Sequence, residues 1–309
     1  MRNRGFATAT RPLAGYLFIL PALAVYAVFV ATPVVESFRL SLYRWPSAFL
    51  APDFVGLDNF TELARDPVFW AALRNNAVLV LFSVVLQLPV AMLLAVLLSY
   101  PLRARTFFRT VFFAPMIMPT TAIAVLWSMI YLPEQGLLDR VIRFLYAGYE
   151  GFGWLSESGV ALASVFVVVS WRYVGFHMVL FMAGIAAVPS QLYEAGRLDG
   201  AGEWALFRHV TLPMLSPMIR VAALLSVVGS LKYFDLMYML AAGAPETSRE
   251  LLATYVYRLA FASGQGRYGY GSAVAVLLFM AAMAAACAVI WLGRTKATQA
   301  GRNRRGRAT

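Results

Sequence analysis

Long runs of apolar residues dominate the hydrophobic and polar pattern of this chain. Four runs of 22 to 25 residues carry no charge, at 13–35, 77–100, 111–132 and 268–292. A bilayer core of about 30 Å is crossed by roughly 20 helical residues, so each run predicts a membrane-spanning helix. The first run exceeds the apolar region of a cleaved signal peptide, and we interpret it as a retained span.

Two further runs of helical length contain charged residues. The run 159–188 carries Arg172 near its middle, and the run 221–242 carries Lys232 and Asp235. Both are otherwise apolar, so we expect them to cross the membrane as well. The pattern therefore predicts an all-α integral membrane protein with six transmembrane helices.

The basic residues between the runs predict the orientation of the spans. Lys and Arg are enriched in cytoplasmic loops. If the N-terminus is inside, the inner segments hold 15 Lys and Arg and 3 Asp and Glu, whereas the outer segments hold 8 and 10. This predicts a cytoplasmic tail at 1–12, a membrane domain at 13–292 and a basic cytoplasmic tail at 293–309.

Composition agrees with a membrane protein and removes several alternatives. Hydrophobic residues make up 61% of the 309 residues and charged residues 13%, unlike an ordinary soluble enzyme. The net charge of +11 is concentrated in the two tails, which favours lipid headgroups over nucleic acid. A single cysteine and two distant histidines suggest no metal site. The chain contains no GxxxxGK[ST] phosphate loop, so any ATP must bind another chain.

The segment 189–213, called the bracket below, joins the fourth and fifth predicted spans. Its sequence predicts a helix, a turn and a second helix. Ser190 is placed to cap the first helix, and Asp199-Gly200 is a turn dipeptide in which glycine tolerates a positive φ. The second helix is expected from about Ala201 to just before Pro213.

The bracket resembles the EAA motif of bacterial ABC-importer permeases. The matching residues stand at the family's spacing and are Glu194, Ala195, Asp199, Gly200, Ala201, Phe207, Leu212 and Pro213. One departure is Gly196, where the family usually has a second alanine. Glycine there is expected to loosen the first helix by up to about 1 kcal/mol.

The resemblance extends over most of the chain. The segments 54–60, 66–70 and 73–75 resemble the first outer loop of maltose-type and glycerol-phosphate-type permeases, and 234–235 and 269–273 resemble the same group. The segment 241–245 departs from that group's TGGGP. The chain is thus similar to the first permease of a binding-protein-dependent carbohydrate ABC importer, of the maltose, glycerol-phosphate or trehalose type.

This resemblance implies an ABC importer type I permease fold and a set of partners. They are a second permease in a heterodimer, two copies of an ABC ATPase, an extracytoplasmic solute-binding protein and a sugar-like solute. ATP and Mg would bind the ATPase, with no cofactor in this chain. The location implied is the bacterial or archaeal cytoplasmic membrane. Coupling to the ATPase is expected through Glu194, Ala195, Gly196, Asp199, Gly200, Ala201 and Phe207.

The charges within the spans admit two interpretations, because such residues usually face a water-filled path or a partner. In the first, Arg172, Lys232 and Asp235 line a solute pathway together with Trp171, Tyr233 and Tyr238. In the second, Lys232 and Asp235, three residues apart on one helical face, form a self-contained pair, and Arg172 reaches toward helix ends.

Other polar residues in the spans are weaker pathway candidates. Asn75 and Asn76 are expected at the outer mouth of the second span. Gln87 and His177 either face the pathway or hydrogen-bond between helices. Prolines 89, 115 and 119 are expected to kink the second and third spans.

Two other functional classes remain open from the residues alone. A stand-alone secondary transporter or channel would need ion ligands or internal repeats, and neither is apparent. An integral-membrane enzyme would need clustered His, Asp or Glu at a membrane face. We therefore expect a transport subunit without catalytic residues of its own.

Overall fold

A computed structural model describes the backbone of residues 12–46, 50–100, 103–146, 148–157, 159–240, 250–262 and 266–305, and side chains between residues 18 and 291 within those ranges. The segment 241–245 and the tail residues 1–11 and 306–309 lie outside the described residues. Predictions that concern them, including the departure from TGGGP, stay predictions.

The described chain is mostly helical. Its α-helices are α1 (Pro12–Tyr26), α2 (Thr32–Leu40), α3 (Asp58–Ala64), α4 (Pro67–Phe82), α5 (Leu88–Leu97), α6 (Arg105–Ile117), α7 (Thr120–Ile130), α8 (Leu137–Leu145), α9 (Ala161–Ala186), α10 (Ser190–Leu198), α11 (Glu203–Leu206), α12 (Leu212–Met214), α13 (Ser216–Leu231), α14 (Asp235–Leu240), α15 (Leu252–Tyr257) and α16 (Tyr268–Arg305). Short π-helical turns occupy Ala27–Ala31, Ser83–Gln87, Phe207–Thr211 and Arg258–Ala262. Strands β1 (Tyr43–Arg44) and β2 (Asp53–Phe54) form an antiparallel pair.

Four helices in the described ranges are long and apolar enough to cross a membrane, and bent pairs bring the number to as many as six. The four are Phe18–Leu40, Pro67–Leu97, Ala161–Ala186 and Tyr268–Trp291. The bent pairs are Arg105–Ile117 with Thr120–Ile130, at 103°, and Glu203–Met214 with Ser216–Leu231, at 67°.

Two predicted spans are not continuous helices. The predicted span 111–132 is broken after Ile117, where Met118 takes an extended conformation before Pro119. Proline disfavours a helical conformation in the residue before it, which explains the break. The predicted span 221–242 is interrupted as well, since α13 ends at Leu231 and α14 begins at Asp235.

Another predicted span begins about ten residues earlier than its apolar run. Helix α4 begins at Pro67 instead of at residue 77, and the side chain of Asp66 accepts a hydrogen bond of 2.8 Å from the backbone N–H of Val68. An aspartate at this position caps the first turn of a helix. The helix can include Asn75 and Asn76 because both amides find partners inside the protein.

Three of the four π-helical turns have the same relation to a proline. They end at Ala31, Gln87 and Thr211, and a proline follows two residues later in each case, at 33, 89 and 213. A proline lacks the N–H of a helical hydrogen bond and its ring crowds the carbonyl four residues earlier. A wider turn makes room for the ring, so these helices continue through their prolines.

Helix α9 lies at the centre of the packed core. One end contributes Val165 and Val168 to a cluster with α7 and α14, and the bracket end contributes Met178 and Phe181 to a cluster with α5 and α13. Gly175 of α9 faces the backbone of α6 so closely that a Cβ atom would lie 1.9 Å from the Phe112 carbonyl oxygen. Glycine is therefore required where these helices cross.

Candidate functional site

The turn of the bracket ends α10 with a left-handed glycine. Gly200 has φ +79°, and no atom outside its neighbours lies within 4 Å of the position of a Cβ. The N–H of Gly200 donates to the Arg197 carbonyl at 3.1 Å, and the N–H of Ala201 donates to the Gly196 carbonyl at 2.9 Å. These two bonds form a Schellman motif, in which glycine is favoured at the left-handed position.

The tip of the bracket is exposed, and two of its carboxylates have no partner among the described residues. Glu194, Ala195, Asp199 and Gly200 are exposed, and Ala201 is half-buried. In the described part of the chain the carboxylates of Glu194 and Asp199 make no hydrogen bond or ion pair. This surface is open to a partner molecule.

The bracket also exposes two large apolar side chains that the sequence did not mark as site residues. Leu198 is 89% exposed at the end of α10, and Trp204 is 71% exposed in α11. They flank the glycine turn. The available signal was the presence of apolar residues in a loop rich in charge and turn formers, since exposed apolar patches mark interaction sites.

Packing against the membrane domain holds the bracket in place. Leu206 is buried and packs over Gly196, where a Cβ would lie 2.5 Å from the Leu206 Cδ2 atom. An alanine at this position would require the end of the Leu206 side chain to shift. Phe207 packs against the core cluster at the bracket end, and the hydroxyls of Tyr193 and Thr211 lie 3.0 Å apart.

Polar contacts link the two arms of the bracket to the end of α5. Glu203 accepts hydrogen bonds from the Tyr100 hydroxyl at 2.8 Å and from the Arg197 guanidinium at 3.3 Å. The bond from Tyr100 and then that from Arg197 lower the pKa of Glu203. Glu203 therefore stays ionised at neutral pH.

Three details of the predicted bracket are wrong. Ser190 is the first helical residue and its side chain makes no capping hydrogen bond, since the cap position is Pro189. The second helix begins at Glu203, not at Ala201. It also continues past Pro213 to Met214, because the preceding π-helical turn accommodates the proline ring.

A row of buried polar residues runs between α4, α9 and α13. Asn76 is fully buried, donates to the carbonyls of Ser230 and Leu231 at 3.1 and 3.3 Å, and accepts from the Leu252 N–H at 2.8 Å. Asn75 donates to the Glu250 carbonyl at 3.0 Å. Both residues therefore lie inside the fold and connect α4 to the end of α13 and to the segment before α15. Their place at the outer mouth of the second span stays a prediction.

The same row continues with Ser83, Gln87 and His177. The hydroxyls of Ser83 and Ser230 lie 2.9 Å apart, and Gln87 Nε2 lies 3.2 Å from His177 Nδ1. Of the two interpretations, hydrogen bonding between helices describes these contacts. His177 Nε2 is buried without a hydrogen-bond partner among the described residues.

A partly open cavity adjoins this row. Its volume is about 220 Å³, and polar side chains on its wall include Ser83, Gln87, His177, Ser226, Ser230 and Tyr233. The Ser226 hydroxyl and the Tyr233 hydroxyl are buried there without partners in the described ranges. Unpartnered buried polar groups are costly, so this wall is suited to a polar guest such as water.

Arg172 bridges two spans at the break in the third one. Its Nη1 atom donates to the Thr120 hydroxyl at 2.9 Å, directly after the break at Pro119. Its Nε atom is buried without a partner among the described residues. Trp171 packs edge-on against Trp127, and Tyr173 against Tyr233.

The predicted fifth span is interrupted where its charges lie. Lys232 caps the end of α13, Tyr233 and Phe234 are not helical, and Asp235 begins α14. The sequence had predicted that Lys232 and Asp235 share a helical face. The interruption between them shows that this prediction is wrong. In the described chain no ion pair joins Asp235 to Lys232 or to Arg172, so the self-contained pair is absent.

Aromatic rings surround the restart of the fifth span. Tyr238 stacks on Phe234 with centroids 5.3 Å apart, and Tyr257 contacts both rings. Lys232, Asp235 and Tyr238 are exposed. Interrupted backbone within a membrane is tolerated where it is buried in protein or lines a water-filled cavity, so this segment is suited to a polar pathway.

A charged cleft lies on the side of the molecule away from the bracket. It has a volume of about 600 Å³, and charged residues on its walls are Arg44, Asp58, Glu62, Arg65, Asp66 and Arg267. Asp66 accepts hydrogen bonds from the Tyr255 and Tyr270 hydroxyls. Burial opposes the ionised form, but these bonds hold the pKa of Asp66 below its usual value.

The described residues hold no group of three or more His, Cys, Asp or Glu that would bind a metal ion. The polar features are instead the exposed bracket, the interrupted spans with their aromatic rings, and the distant cleft.

Comparison with known proteins identifies related chains. Residues 87–293 match the family described as "Binding-protein-dependent transport system inner membrane component". The probable ABC transporter permease protein YurN of Bacillus subtilis is 38% identical over 271 residues, which cover 87% of this chain and 92% of that protein. The trehalose/maltose transport system permease protein MalF of Thermococcus litoralis is 32% identical over 283 residues, covering 91% and 93%.

A solved structure shares the fold. The crystal structure of a bacterial alginate ABC transporter in complex with alginate pentasaccharide-bound periplasmic protein contains a chain that aligns with a TM-score of 0.80 and 21% identity, over 93% of this chain and 96% of that one.

Proposed function

Because this chain belongs to the family of binding-protein-dependent transport system inner membrane components, we propose that it forms half of a solute pathway that a separate ATPase drives through the bracket. The chain is a multi-pass membrane permease subunit of an ABC importer, with the permease fold, and it is a transport subunit and not an enzyme. ATP and Mg are held by the ATPase partner.

Sugars are the solutes of this importer. Relatives that cover most of the chain are named for trehalose and maltose uptake and for lactose uptake. The aromatic rings beside Arg172, Lys232 and Asp235 suit such solutes, because a sugar offers hydroxyl groups and apolar C–H faces to rings and polar groups together.

The bracket is the element that couples to the ATPase. One observation carries this proposal: an exposed glycine turn with unpartnered carboxylates and exposed Leu198 and Trp204 is packed firmly onto two membrane helices. Glu194, Ala195, Asp199 and Gly200 supply the contact surface, Gly196 and Ala201 keep the turn compact, and Phe207 transmits movement to the membrane core.

The pathway follows the interrupted spans. Arg172 with Trp171 holds the break in the third span, and Lys232, Tyr233, Asp235 and Tyr238 form the break in the fifth. Gln87 and His177 line the adjoining cavity, while Asn75 and Asn76 set its shape from outside. Breaks of this kind place polar groups within the membrane where a solute passes.

A second permease completes the pathway. In the apolar stretch of Phe18–Leu40 no part is buried within this chain, and Phe18 and Phe29 are 85% and 74% exposed. A helix that buries so little of its surface against its own chain is suited to packing on a partner subunit within the bilayer. We assign this role to a second, different permease.

The orientation follows from the basic residues. Six spans with both termini and the bracket in the cytoplasm agree with the charge asymmetry of the loops. The charged cleft then faces outward, where Arg44, Arg65 and Asp66 are available to a solute-binding protein. The membrane is the cytoplasmic membrane of a bacterium or archaeon.

Isolation from native membranes tests the function. An affinity-tagged chain is expected to bring with it a second permease and an ATPase, and ATP hydrolysis should rise when a binding protein loaded with sugar is added. A chain that purifies alone and catalyses uptake in liposomes without ATP would instead be a stand-alone transporter.

A labelling experiment tests the orientation. In a Cys287→Ser background, a Thr309→Cys variant should resist an impermeant thiol reagent applied to intact cells and react after the membrane is opened. Ready labelling in intact cells would reverse the assigned orientation.

A further inference from the structure

Helix α8 exposes an apolar face that the transport function leaves unused. Leu137, Val141, Phe144 and Leu145 recur at the spacing of one helical face. They are 62%, 48%, 90% and 76% exposed, and Tyr146 beside them is 66% exposed. A face of this kind is costly in water and marks an interaction surface.

The rest of α8 is held rigidly by a buried carboxylate. Asp139, on the side opposite the apolar face, is fully buried and accepts four hydrogen bonds. The donors are the backbone N–H groups of Glu134 and Phe152, at 2.7 and 3.2 Å, the Tyr149 hydroxyl at 2.9 Å and Trp154 Nε1 at 2.6 Å. The apolar face therefore cannot turn inward without breaking this network.

The network also keeps Asp139 ionised. Burial opposes the charged form, but the hydrogen bond from Trp154 and those from the backbone outweigh it and lower the pKa of Asp139. Its charge is compensated within the loop. The exposed charged side chains of α8 are therefore Arg140, beside the apolar face, and Arg143, one turn further along between that face and Asp139.

The position of α8 is the outer end of a membrane span. Gly136 precedes it and lies so close to the end of α7 that a Cβ would come within 2.4 Å of the Ile130 carbonyl oxygen. Tyr131 stacks with Trp154 at a centroid distance of 6.3 Å, above Trp127 of α7. Tyr131 is 4% exposed and lies in a core cluster with α7 and α9, so this stacking holds the segment after α8 on the end of α7.

From these observations we propose that α8 lies in the outer lipid interface, with its apolar face among the upper acyl chains and its arginines on anionic phospholipid headgroups. The exposed apolar surface of α7 near its end, at Met129 and Leu132, leads directly to Leu137. A basic amphipathic helix beside a span has the chemistry of an interfacial anchor. The anchor fixes the outer end of the interrupted third span at the membrane surface.

A fluorescence experiment on the assembled transporter tests this site. Cys287 is the single cysteine, so a Cys287→Ser background permits an environment-sensitive dye at Phe144→Cys. Glu150→Cys is the matched control, because Glu150 is exposed in the same loop and its side chain is not one of the donors to Asp139. The complexes are placed in nanodiscs of phosphatidylethanolamine and phosphatidylglycerol, with nitroxide on the upper acyl chain of some lipids.

The dye at position 144 should be quenched by the nitroxide lipid several-fold more than the dye at 150, whereas iodide in the water should show the reverse order. Adding the loaded binding protein should change neither value. Equal iodide quenching at both positions would overturn the proposal. So would shielding at 144 that requires the binding protein, or shielding from both quenchers, since these indicate a protein partner.

A second variant separates the arginines from the apolar face. Arg140→Gln combined with Arg143→Gln should remove the increase in lipid quenching at 144 that phosphatidylglycerol gives over phosphatidylcholine. Lipid dependence unchanged in the double variant would contradict the headgroup assignment. The inference concerns lipid contact alone and holds or fails independently of the transported solute.

Discussion

The bracket joins the ends of α9 and α13, and the buried polar row lies further along the same two helices. The two regions use polar residues in opposite ways. In the row, Asn76, Ser83 and Gln87 are bonded to neighbouring helices. In the bracket, Glu194 and Asp199 stay exposed without partners in the described chain. Polarity inside the membrane has been used for stability here, whereas polarity at the turn remains available for binding.

The interrupted spans stand between these two cases. Arg172 is partly bonded, through Thr120, and Lys232 and Asp235 are exposed at a break in the backbone. A side chain with an incomplete set of partners in a costly location is a better candidate for function than one that is fully bonded. The comparison therefore separates pathway residues from structural ones within one set of polar positions.

The largest expected effect is at the bracket tip. Gly200→Asp places a side chain at φ +79° and a charge at the proposed contact. We expect about a five- to thirtyfold loss of ATP hydrolysis stimulated by loaded binding protein, since a strain of about 1–2 kcal/mol corresponds to that range. Subunit recovery and stimulated hydrolysis of the purified complex are the measurements.

Gly202→Asp is the matched control for that variant. Gly202 is exposed, has an extended conformation and precedes the second helix of the bracket, where aspartate is a favourable cap. It adds the same charge without strain, and it should retain stimulated hydrolysis. Equal losses in both variants would mean that charge, and not the turn geometry, matters at this surface.

The next largest effect concerns the contribution of the buried polar row to the stability of the protein. Asn76→Ala leaves the Leu252 N–H and two carbonyls without this amide. Unpaired buried groups cost about 1–3 kcal/mol, so the free energy of unfolding should fall by about 2 kcal/mol. Thermal unfolding of the purified complex measures the change. Ser226→Ala, which removes a hydroxyl without a partner among the described residues, should leave the unfolding temperature unchanged.

A third prediction separates transport from folding. Asp235→Asn should lower sugar uptake at least about fivefold, the equivalent of roughly 1 kcal/mol, with assembly and unfolding temperature unchanged, because Asp235 is exposed and makes no ion pair in the described chain. Asp53→Asn, at an exposed position of β2, serves as the control. Normal uptake in Asp235→Asn would remove this residue from the pathway.

The smallest effect is expected for the contact between α5's end and the bracket. Tyr100→Phe removes the hydrogen bond to Glu203. Both residues are exposed, and exposed polar contacts contribute little to stability. Unfolding temperature and stimulated hydrolysis should both stay within experimental error of the original protein. A clear fall in hydrolysis would show that the bracket depends on this link and not mainly on Phe207 packing.

The turn of the bracket could be predicted because its geometry is local, whereas the ends of the two bracket helices were not predicted correctly. The Asp199-Gly200 dipeptide and the hydrogen bonds of the Schellman motif involve residues within six positions of one another. The packing of Leu206 over Gly196 could not be predicted, since it depends on how two helices meet. The family spacing therefore identified the turn but not the packing around Gly196.

The apolar runs predicted where the long helices lie, but they did not predict where those helices are interrupted. The run at 77–100 missed the first ten residues of its helix, because Asn75 and Asn76 are polar and their partners come from distant segments. The predicted face shared by Lys232 and Asp235 assumed a continuous helix, and the break after Leu231 depends on tertiary packing. Hydropathy reports composition and cannot report such contacts.

The π-helical turn before Pro89 has a further consequence for the phase of its span. The buried positions Leu79, Ser83, Gln87, Ala91 and Ala95 recur every four residues, and four residues turn an α-helix about 40° beyond a full circle. Over four repeats this stripe would drift by about 160°. One additional residue in the wide turn subtracts about 100°. The proline therefore coincides with a phase correction that keeps most of a four-residue repeat on the buried side, against α13 in the first part of the span and against α9 in the second.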